Sequence, residues 1–168
     1  KYFSKFQTES RSHNYNKPAE SRASYMKNNN NLSNNHQYPI LLVEDNQDDV
    51  ILMERALTKA GMDKPVYVAR DGVKAIEFLS DISKNYNSDS DYLTMIILLD
   101  LKLPKKSGMD VLKYIRNHPK IRNLPVIIFT SSNQASDIKE AYDNQANSYI
   151  VKPIAFGDLL AIAEMLKK

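Results

Sequence analysis

Cysteine is absent from the 168 residues of this chain. Its absence excludes disulfide bonds, thiolate metal sites and cysteine nucleophiles, and it fits a reducing compartment, so we expect a cytoplasmic protein. The sequence also lacks an apolar run long enough to cross a bilayer and lacks a signal-peptide pattern, so we expect no membrane contact. Glycine is scarce, with four residues. Neither common form of glycine-rich phosphate loop occurs, which counts against a nucleotide- or flavin-binding domain.

Charge of one sign is not in large excess, because the net charge is only +3. Residues 1–38 hold six Lys or Arg and two Glu, a net +4, so the remainder carries about −1. This segment is rich in Asn, Ser and Lys and has no periodic apolar residues, so we expect it to be disordered. Residues 39–168 are expected to form one domain, whose near-neutral charge gives no indication of a nucleic-acid surface.

Short apolar runs alternate with amphipathic segments after residue 38. The predicted strands are residues 40–43, 66–69, 95–99, 126–129 and 149–151, and a helical pattern follows each of them. Asn46 is predicted to cap the first helix, and Ser136 or Asp137 to start the fourth. The polar stretch 83–91 is predicted to be a loop. The alternation predicts an α/β protein with a parallel sheet covered by helices on both faces.

Carboxylates stand directly after two of these apolar runs. Asp100 follows Ile-Ile-Leu-Leu, and Glu44 and Asp45 follow Ile-Leu-Leu-Val. Because the carboxyl ends of parallel strands meet at one edge of the sheet, the three charges are expected to crowd together. At about 4 Å and an effective dielectric constant of about 20, each like-charged pair costs on the order of 4 kcal/mol. Mg²⁺ relieves such repulsion, so the pattern indicates a metal-assisted phosphoryl site.

Motifs at four strand ends carry a family resemblance. Glu44-Asp45, Asp100, Thr130 and Lys152-Pro153 resemble the matching residues of response-regulator receiver domains in two-component signalling. The segments LLVEDN, DLKLPKKSG, PVIIFTSSN and ANSYIVKP are similar to those of single-domain receivers that partner phytochrome-type histidine kinases. The resemblance covers residues 39–168. It implies a doubly wound, flavodoxin-like sheet of five strands in the order 2-1-3-4-5.

The resemblance also implies a metal site and a phosphoacceptor. Asp100 is expected to accept the phosphoryl group as an acyl phosphate. Asp45 and Asp100 are expected to bind Mg²⁺ directly, Glu44 directly or through water, and the backbone carbonyl of Lys102 to complete the protein ligands.

The groups that would stabilise the phosphoryl oxygens follow from the same resemblance. Lys152 is expected to supply a cation, next to a cis peptide bond before Pro153. The Thr130 hydroxyl is expected to donate to a phosphoryl oxygen, and the backbone N–H groups of Leu101 and Ser131 to complete the cradle.

The predicted function is a phosphoacceptor switch rather than an enzyme. A sensor histidine kinase of the phytochrome type, or a phosphotransfer protein, is expected to supply the phosphoryl group. Thr130 would move to meet it and Tyr149 would occupy the vacated space. The face formed by the fourth helix, fifth strand and fifth helix would then change its preference for partners, including a second copy of the chain.

Other interpretations stay open. A receiver fold acting as an interaction module would need no Mg²⁺, and a haloacid-type phosphatase would place a second Asp where this chain has Lys102. Asp48 and Asp49 are typical first-turn helix acids, although Asp49 is also a candidate for an outer-shell role. Ser131 or Ser132 could replace Thr130 in its role.

Overall fold

A computed structural model of the chain describes residues 38–85 and 94–167. Within these ranges lie five strands and five helices, in strict alternation: β1 (Ile40–Val43), α1 (Gln47–Lys59), β2 (Val66–Ala69), α2 (Gly72–Asn85), β3 (Ile96–Leu99), α3 (Gly108–Asn117), β4 (Val126–Thr130), α4 (Ala135–Asp143), β5 (Ser148–Val151) and α5 (Phe156–Lys167). The predicted disorder of residues 1–38 falls, apart from Tyr38, outside the described ranges. None of the described helices is long and apolar enough to span a membrane.

The five strands form one parallel sheet in the order β2-β1-β3-β4-β5. This arrangement confirms the predicted doubly wound fold. The strands are in register at their carboxyl ends, where Val43 lies opposite Leu99 and Thr130 lies opposite Val151. Residues that follow these strands therefore emerge together at one edge of the sheet.

Apolar layers cover both faces of this sheet. One layer packs α2, α3 and α4 against the sheet and includes Phe78, Leu112 and Ala141. The other packs α1 and α5 and includes Met53 and Ile162. Side chains of β1 alternate between the two layers and are all buried, which explains why this strand is continuously apolar. Each fully buried large apolar side chain contributes about 1.5–3 kcal/mol.

Local hydrogen bonds start two of the helices, the first of them at the residue that the sequence predicts. The Asn46 side chain caps α1 by accepting the backbone N–H groups of Asp48 at 2.8 Å and Asp49 at 3.2 Å. Ser107 and Asp110 form a reciprocal capping box at the start of α3, the arrangement in which each side chain accepts the other residue's backbone N–H.

Two predicted helix boundaries were wrong, and three predicted strands differ from the observed ones by one residue at one end. Ser83 to Asn85 belong to α2 rather than to a loop. The Ser83 hydroxyl donates to the Ser80 carbonyl at 2.7 Å, so the buried polar side chain of Ser83 is accommodated within the helix. The rest of the predicted loop up to residue 91 lies outside the described ranges. Helix α4 begins at Ala135, one residue before Ser136, with no side-chain cap from Gln134.

Two glycines allow the loop between β3 and α3 to lie close to its neighbours. A Cβ on Gly108 would lie 1.9 Å from the Asp100 carbonyl oxygen, and one on Gly72 would lie 2.1 Å from the Lys106 carbonyl oxygen. No side chain fits at either place without a backbone shift. The loop that begins with Asp100 is therefore fixed both to the start of α3 and to the start of α2.

Candidate functional site

Three carboxylates converge at the carboxyl edge of the sheet. Glu44 and Asp45 follow β1, and Asp100 follows the adjacent strand β3. One carboxylate oxygen from each of the three lies within 4.8 Å of the others. Glu44 and Asp100 are 2% and 5% exposed, whereas Asp45 is exposed. The site is thus a partly enclosed cluster of hard oxygen ligands with one open side.

The Lys152 ammonium group reaches this cluster from the end of β5. Its Nζ donates to Glu44 Oε2 at 2.6 Å and to Asp100 Oδ2 at 2.8 Å. A third hydrogen bond, also 2.8 Å long, goes to Asp49 Oδ2. The Lys152 side chain is only 14% exposed. All three ammonium protons therefore have carboxylate acceptors in a place with little water.

Electrostatics keep this ammonium group charged. Burial by itself would lower the pKa of Lys152, but hydrogen bonds to Asp100, Asp49 and Glu44 outweigh burial and hold the pKa above its ordinary value. Burial raises the pKa of the Glu44 carboxyl, and the Lys152 ammonium offsets this effect only in part. The site accordingly contains a permanent cation among several acids.

Asp49 reaches the site from the first turn of α1. Its backbone N–H binds the Asn46 side chain, and the Asn46 backbone N–H donates to Glu44 Oε1 at 3.1 Å. Hydrogen bonds thus connect Glu44, Asn46 and the Asp49 backbone, and the Asp49 carboxylate in turn accepts a hydrogen bond from Lys152. Sequence patterns gave Asp49 only as a helix acid or an outer-shell candidate, because acids are common in any first helical turn.

The phosphoacceptor candidate is held by its own loop. The Lys102 backbone N–H donates to Asp100 Oδ1 at 3.1 Å, so the two Asp100 oxygens have different partners. The Lys102 side chain is exposed and Leu101 is half-buried. Metal binding by the Lys102 carbonyl stays a prediction.

A second group of polar side chains lies at the end of β4. Thr130 is fully buried, and its hydroxyl oxygen accepts the Ser132 backbone N–H at 3.4 Å. The Tyr149 hydroxyl donates to the Ser132 carbonyl at 3.0 Å. Burial raises the pKa of Tyr149, with a smaller contribution from the Asp137 and Asp100 charges. The two predicted switch residues, Thr130 and Tyr149, are therefore both bonded to Ser132.

Backbone bonds join this second group to the acid cluster. The Lys152 backbone N–H donates to the Thr130 carbonyl at 2.8 Å. Among the described residues no peptide bond is cis, so the expected cis bond before Pro153 was wrong. Trans is the lower-energy isomer of such a bond by about 0.5–1 kcal/mol, and the fully exposed Ile154 that follows gives no packing constraint against it.

The structure thus brings together most of the predicted site. Glu44, Asp45, Asp100 and Lys152 meet in one cluster, as expected. The roles of Thr130 and of the Leu101 and Ser131 backbone N–H groups toward a phosphoryl group stay predictions; Ser131 is exposed.

Sequence reasoning missed two contacts near the site. The buried Asp71 binds the Lys105 ammonium group, and the Ser132 hydroxyl donates to Asp137. An acid directly before a helical pattern signals a cap, but no sequence pattern indicates a partner 34 residues away.

The donor set of the acid cluster suits a divalent hard cation. Three carboxylates supply oxygen ligands, nitrogen and sulfur ligands are absent from the group, and the exposed Asp45 leaves room for water. Magnesium is bound in proteins by few carboxylates together with water and phosphate oxygens. The residues present therefore fit Mg²⁺ or a similar ion.

Comparison with known proteins finds regulatory proteins that are similar over most of this chain. The probable methanogenesis regulatory protein FilR2 of Methanothrix harundinacea is 36% identical over 129 residues, which cover 77% of this chain and 81% of FilR2. The response regulator Rcp1 of Synechocystis is 35% identical over 125 residues, 74% of this chain and 83% of Rcp1. The Mn²⁺-bound structure of Rcp1 superimposes with a TM-score of 0.64 at 33% identity, covering 77% of this chain and 91% of that one.

A phosphorylated relative is similar as well. The phosphorylated cyanobacterial phytochrome response regulator RcpA matches with a TM-score of 0.66 at 34% identity, over 77% of this chain and 91% of that chain. The family model of the response regulator receiver domain matches residues 40–164. With its fold, acid cluster and lysine in place, the chain belongs to the response regulator receiver domain family and resembles phytochrome-associated members.

Proposed function

We propose that Asp100 accepts a phosphoryl group from a phosphohistidine and that the protein is a switch of two-component signalling. The observation that carries this proposal is the convergence of a buried lysine ammonium and three metal-suited carboxylates on one aspartate. A carboxylate oxygen of Asp100 attacks phosphorus, a P–O bond forms, and the P–N bond to the donor histidine breaks. The imidazole leaves and takes up a proton.

The acid cluster holds Mg²⁺ in this proposal, through Glu44, Asp45 and Asp100 with the Lys102 carbonyl. The ion supplies positive charge to the phosphoryl oxygens. The proposal is supported by the donor set of this chain and by the Mn²⁺-bound relative.

Side chains around the ion position the phosphoryl group. Lys152 offers its ammonium group to one phosphoryl oxygen and the Thr130 hydroxyl donates to another. The backbone N–H groups of Leu101 and Ser131 supply further donors. Such preorganised donors stabilise charge where it develops and need little rearrangement during transfer. Water later attacks phosphorus, which releases phosphate and restores the Asp100 carboxylate.

The output is a change of shape rather than a chemical product. Thr130 and Tyr149 are both bonded to Ser132, so movement of the threonine toward a phosphoryl group disturbs the bond that holds the tyrosine. The resulting change reaches the face formed by α4, β5 and α5. A partner reads the signal only if it binds one state better than the other.

The partners follow from this chemistry and from the relatives. Members of the receiver family take their phosphoryl group from histidine kinases, and we propose a kinase of the phytochrome type or a phosphotransfer protein as donor, in the cytoplasm. The α4–β5–α5 face exposes Tyr142, Val151 and Met165, one on each element, which supports its use in pairing with a second copy. We propose no role in binding nucleic acid or membrane.

Intact mass after treatment with acetyl phosphate and Mg²⁺ tests the proposal. We expect one phosphoryl adduct on the wild type and none on Asp100→Asn. Asp158→Asn, which changes an exposed acid on α5, is the matched control and keeps the adduct. An adduct that persists in Asp100→Asn would exclude Asp100 as acceptor, and no adduct with any donor or metal would overturn the switch itself.

A further inference from the structure

The three carboxylate partners of Lys152 differ in their relation to the metal cluster. Glu44 and Asp100 belong to the group of oxygens suited to a divalent ion, whereas Asp49 lies outside that group. An ion bound there competes with Lys152 for the carboxylates of Glu44 and Asp100 and repels its charge. Of these three partners, Asp49 is the one free to keep its hydrogen bond when the ion is present.

The Asp49 carboxylate is well placed to do so. It stands on a capped helix turn that is tied to Glu44 through Asn46, so its position relative to the cluster is fixed by backbone contacts. Its side chain is 35% exposed, against 14% for Lys152. Without Asp49, metal uptake would leave an ammonium group with little water and without a carboxylate, which is unfavourable.

We propose that Asp49 is a positioning residue that holds the Lys152 ammonium group at the edge of the acid cluster. From there the ammonium group gives up Glu44 and Asp100 to the ion and stays within reach of the phosphoryl oxygens. Asp49 acts through Lys152 and touches neither the phosphoryl group nor the ion. This inference rests on the proposed phosphoryl transfer to Asp100.

The neighbouring acid Asp48 provides a matched control. Asp48 lies in the same first turn, its backbone N–H also binds Asn46, and its side chain is exposed. Asp48→Asn removes one charge from the same helix end, so it reproduces any effect on the helix dipole or on general attraction of cations. Only Asp49→Asn also removes the charged partner of Lys152.

Calorimetric titration with Mg²⁺ alone is the first measurement. We expect Asp49→Asn to weaken the Kd for Mg²⁺ about 10-fold, the usual size of an outer-shell effect. Asp48→Asn is expected to change the Kd by less than about two-fold, since an exposed charge is screened. Asp49→Glu, which restores a carboxylate, is expected to recover part of the loss. Equal Kd values for Asp49→Asn and Asp48→Asn would overturn the proposal.

Nitrogen-15 NMR of the lysine side chains is the second measurement. In the Mg²⁺-loaded wild type and in Asp48→Asn we expect a Lys152 ammonium signal, because a hydrogen-bonded ammonium group exchanges its protons slowly. In Asp49→Asn the signal is expected to broaden or vanish. A signal that persists unchanged in Asp49→Asn would contradict a role for Asp49 in holding Lys152.

The same samples separate this inference from the proposed function. If the wild type gains a phosphoryl group but Asp49→Asn behaves like Asp48→Asn in all measurements, the positioning role is wrong and the switch stands. If the wild type gains no phosphoryl group under any condition, the proposed function fails, and with it the inference.

Discussion

At the scale of single residues, Lys152 determines how the acids coexist. Four carboxylates approach one another at the carboxyl edge of the sheet, and three of them bind the same ammonium group. Like charges at such distances repel by several kcal/mol per pair, at about 4 Å and an effective dielectric constant of about 20. The positive charge of Lys152 therefore offsets part of the repulsion among these acids.

Asp71 shows how another buried carboxylate is stabilised. Its Oδ1 accepts the Lys74 backbone N–H at 2.7 Å at the start of α2, and its Oδ2 binds the Lys105 ammonium group. Burial alone would raise the pKa of Asp71, but these partners outweigh it and hold the pKa below the ordinary value. A lowered pKa in the folded state means that the charged form stabilises the fold.

We therefore predict that Asp71→Asn lowers the free energy of unfolding by about 1–2 kcal/mol at pH 7. Stabilisation by Asp71 is complete above the ordinary carboxyl pKa and is lost as the pH falls through the lower folded-state value. The gap between wild type and variant should thus shrink as the pH falls below about 4. Urea unfolding at neutral and acid pH measures the gap, with Asp158→Asn as control. A gap that does not depend on pH would contradict this account.

At the scale of elements, the loop from β3 to α3 requires a residue without a side chain at position 108, which is Gly108. Gly108 approaches the Asp100 carbonyl so closely that a Cβ would overlap it, whereas a Cβ on Gly157 in α5 would meet nothing within 4 Å. The same substitution to alanine can therefore be compared at the two glycines. At Gly108 it tests the effect of close packing, and at Gly157 it tests only the effect of helix propensity.

Gly108→Ala is predicted to displace the start of α3 or the backbone of Asp100, at a cost of about 3 kcal/mol in unfolding free energy. We expect the phosphoryl adduct from acetyl phosphate to form at least about 10-fold more slowly, because a misplaced reacting group loses rate steeply. Gly157→Ala is expected to stabilise the fold by about 0.4–1 kcal/mol and to leave adduct formation unchanged. Denaturant unfolding and timed intact-mass measurements give both quantities; similar behaviour of the two variants would refute the packing argument.

At the scale of the whole molecule, we propose that phosphorylation is coupled to pairing of two chains through the α4–β5–α5 face. We predict that beryllium fluoride, a phosphoryl mimic, with Mg²⁺ raises the molar mass from 19.2 kDa toward that of a dimer in light scattering. Val151→Glu places a charge on the exposed edge strand and should prevent the rise. Ile51→Glu places the same charge at an exposed position of α1, which is not one of the three elements of this face, and should not. A monomer under all conditions would rule out pairing as the output.

The sequence predicts the fold and most of the acid site for a physical reason. Parallel strands end at one edge, so Glu44 and Asp100, each directly after an apolar run, were expected to meet there. Lys152 was expected at the same place because of the family resemblance. Asp49 was harder to predict, because its contact depends on how α1 packs against the sheet beside α5, and sequence periodicity does not specify that distance.

Local patterns also failed where a polar residue has a specific partner. Ser83 suggested a loop, yet its hydroxyl bonds within α2 and its carbonyl accepts the Lys120 ammonium group at 3.1 Å. The ion pair between Asp71 and Lys105, which lie in two different loops, is likewise a contact between residues far apart in sequence. Contacts between residues far apart in sequence leave no periodic pattern to detect.

The three ion pairs of Lys152 have a consequence for how the occupancy of the metal site depends on the magnesium concentration. The ammonium group is a resident competitor for magnesium, so the ion binds less tightly than it would to the same carboxylates without the lysine. Occupancy is then expected to rise and fall with the free magnesium concentration instead of staying saturated. We therefore expect phosphorylation of Asp100 to depend on the free magnesium concentration as well as on the phosphoryl donor.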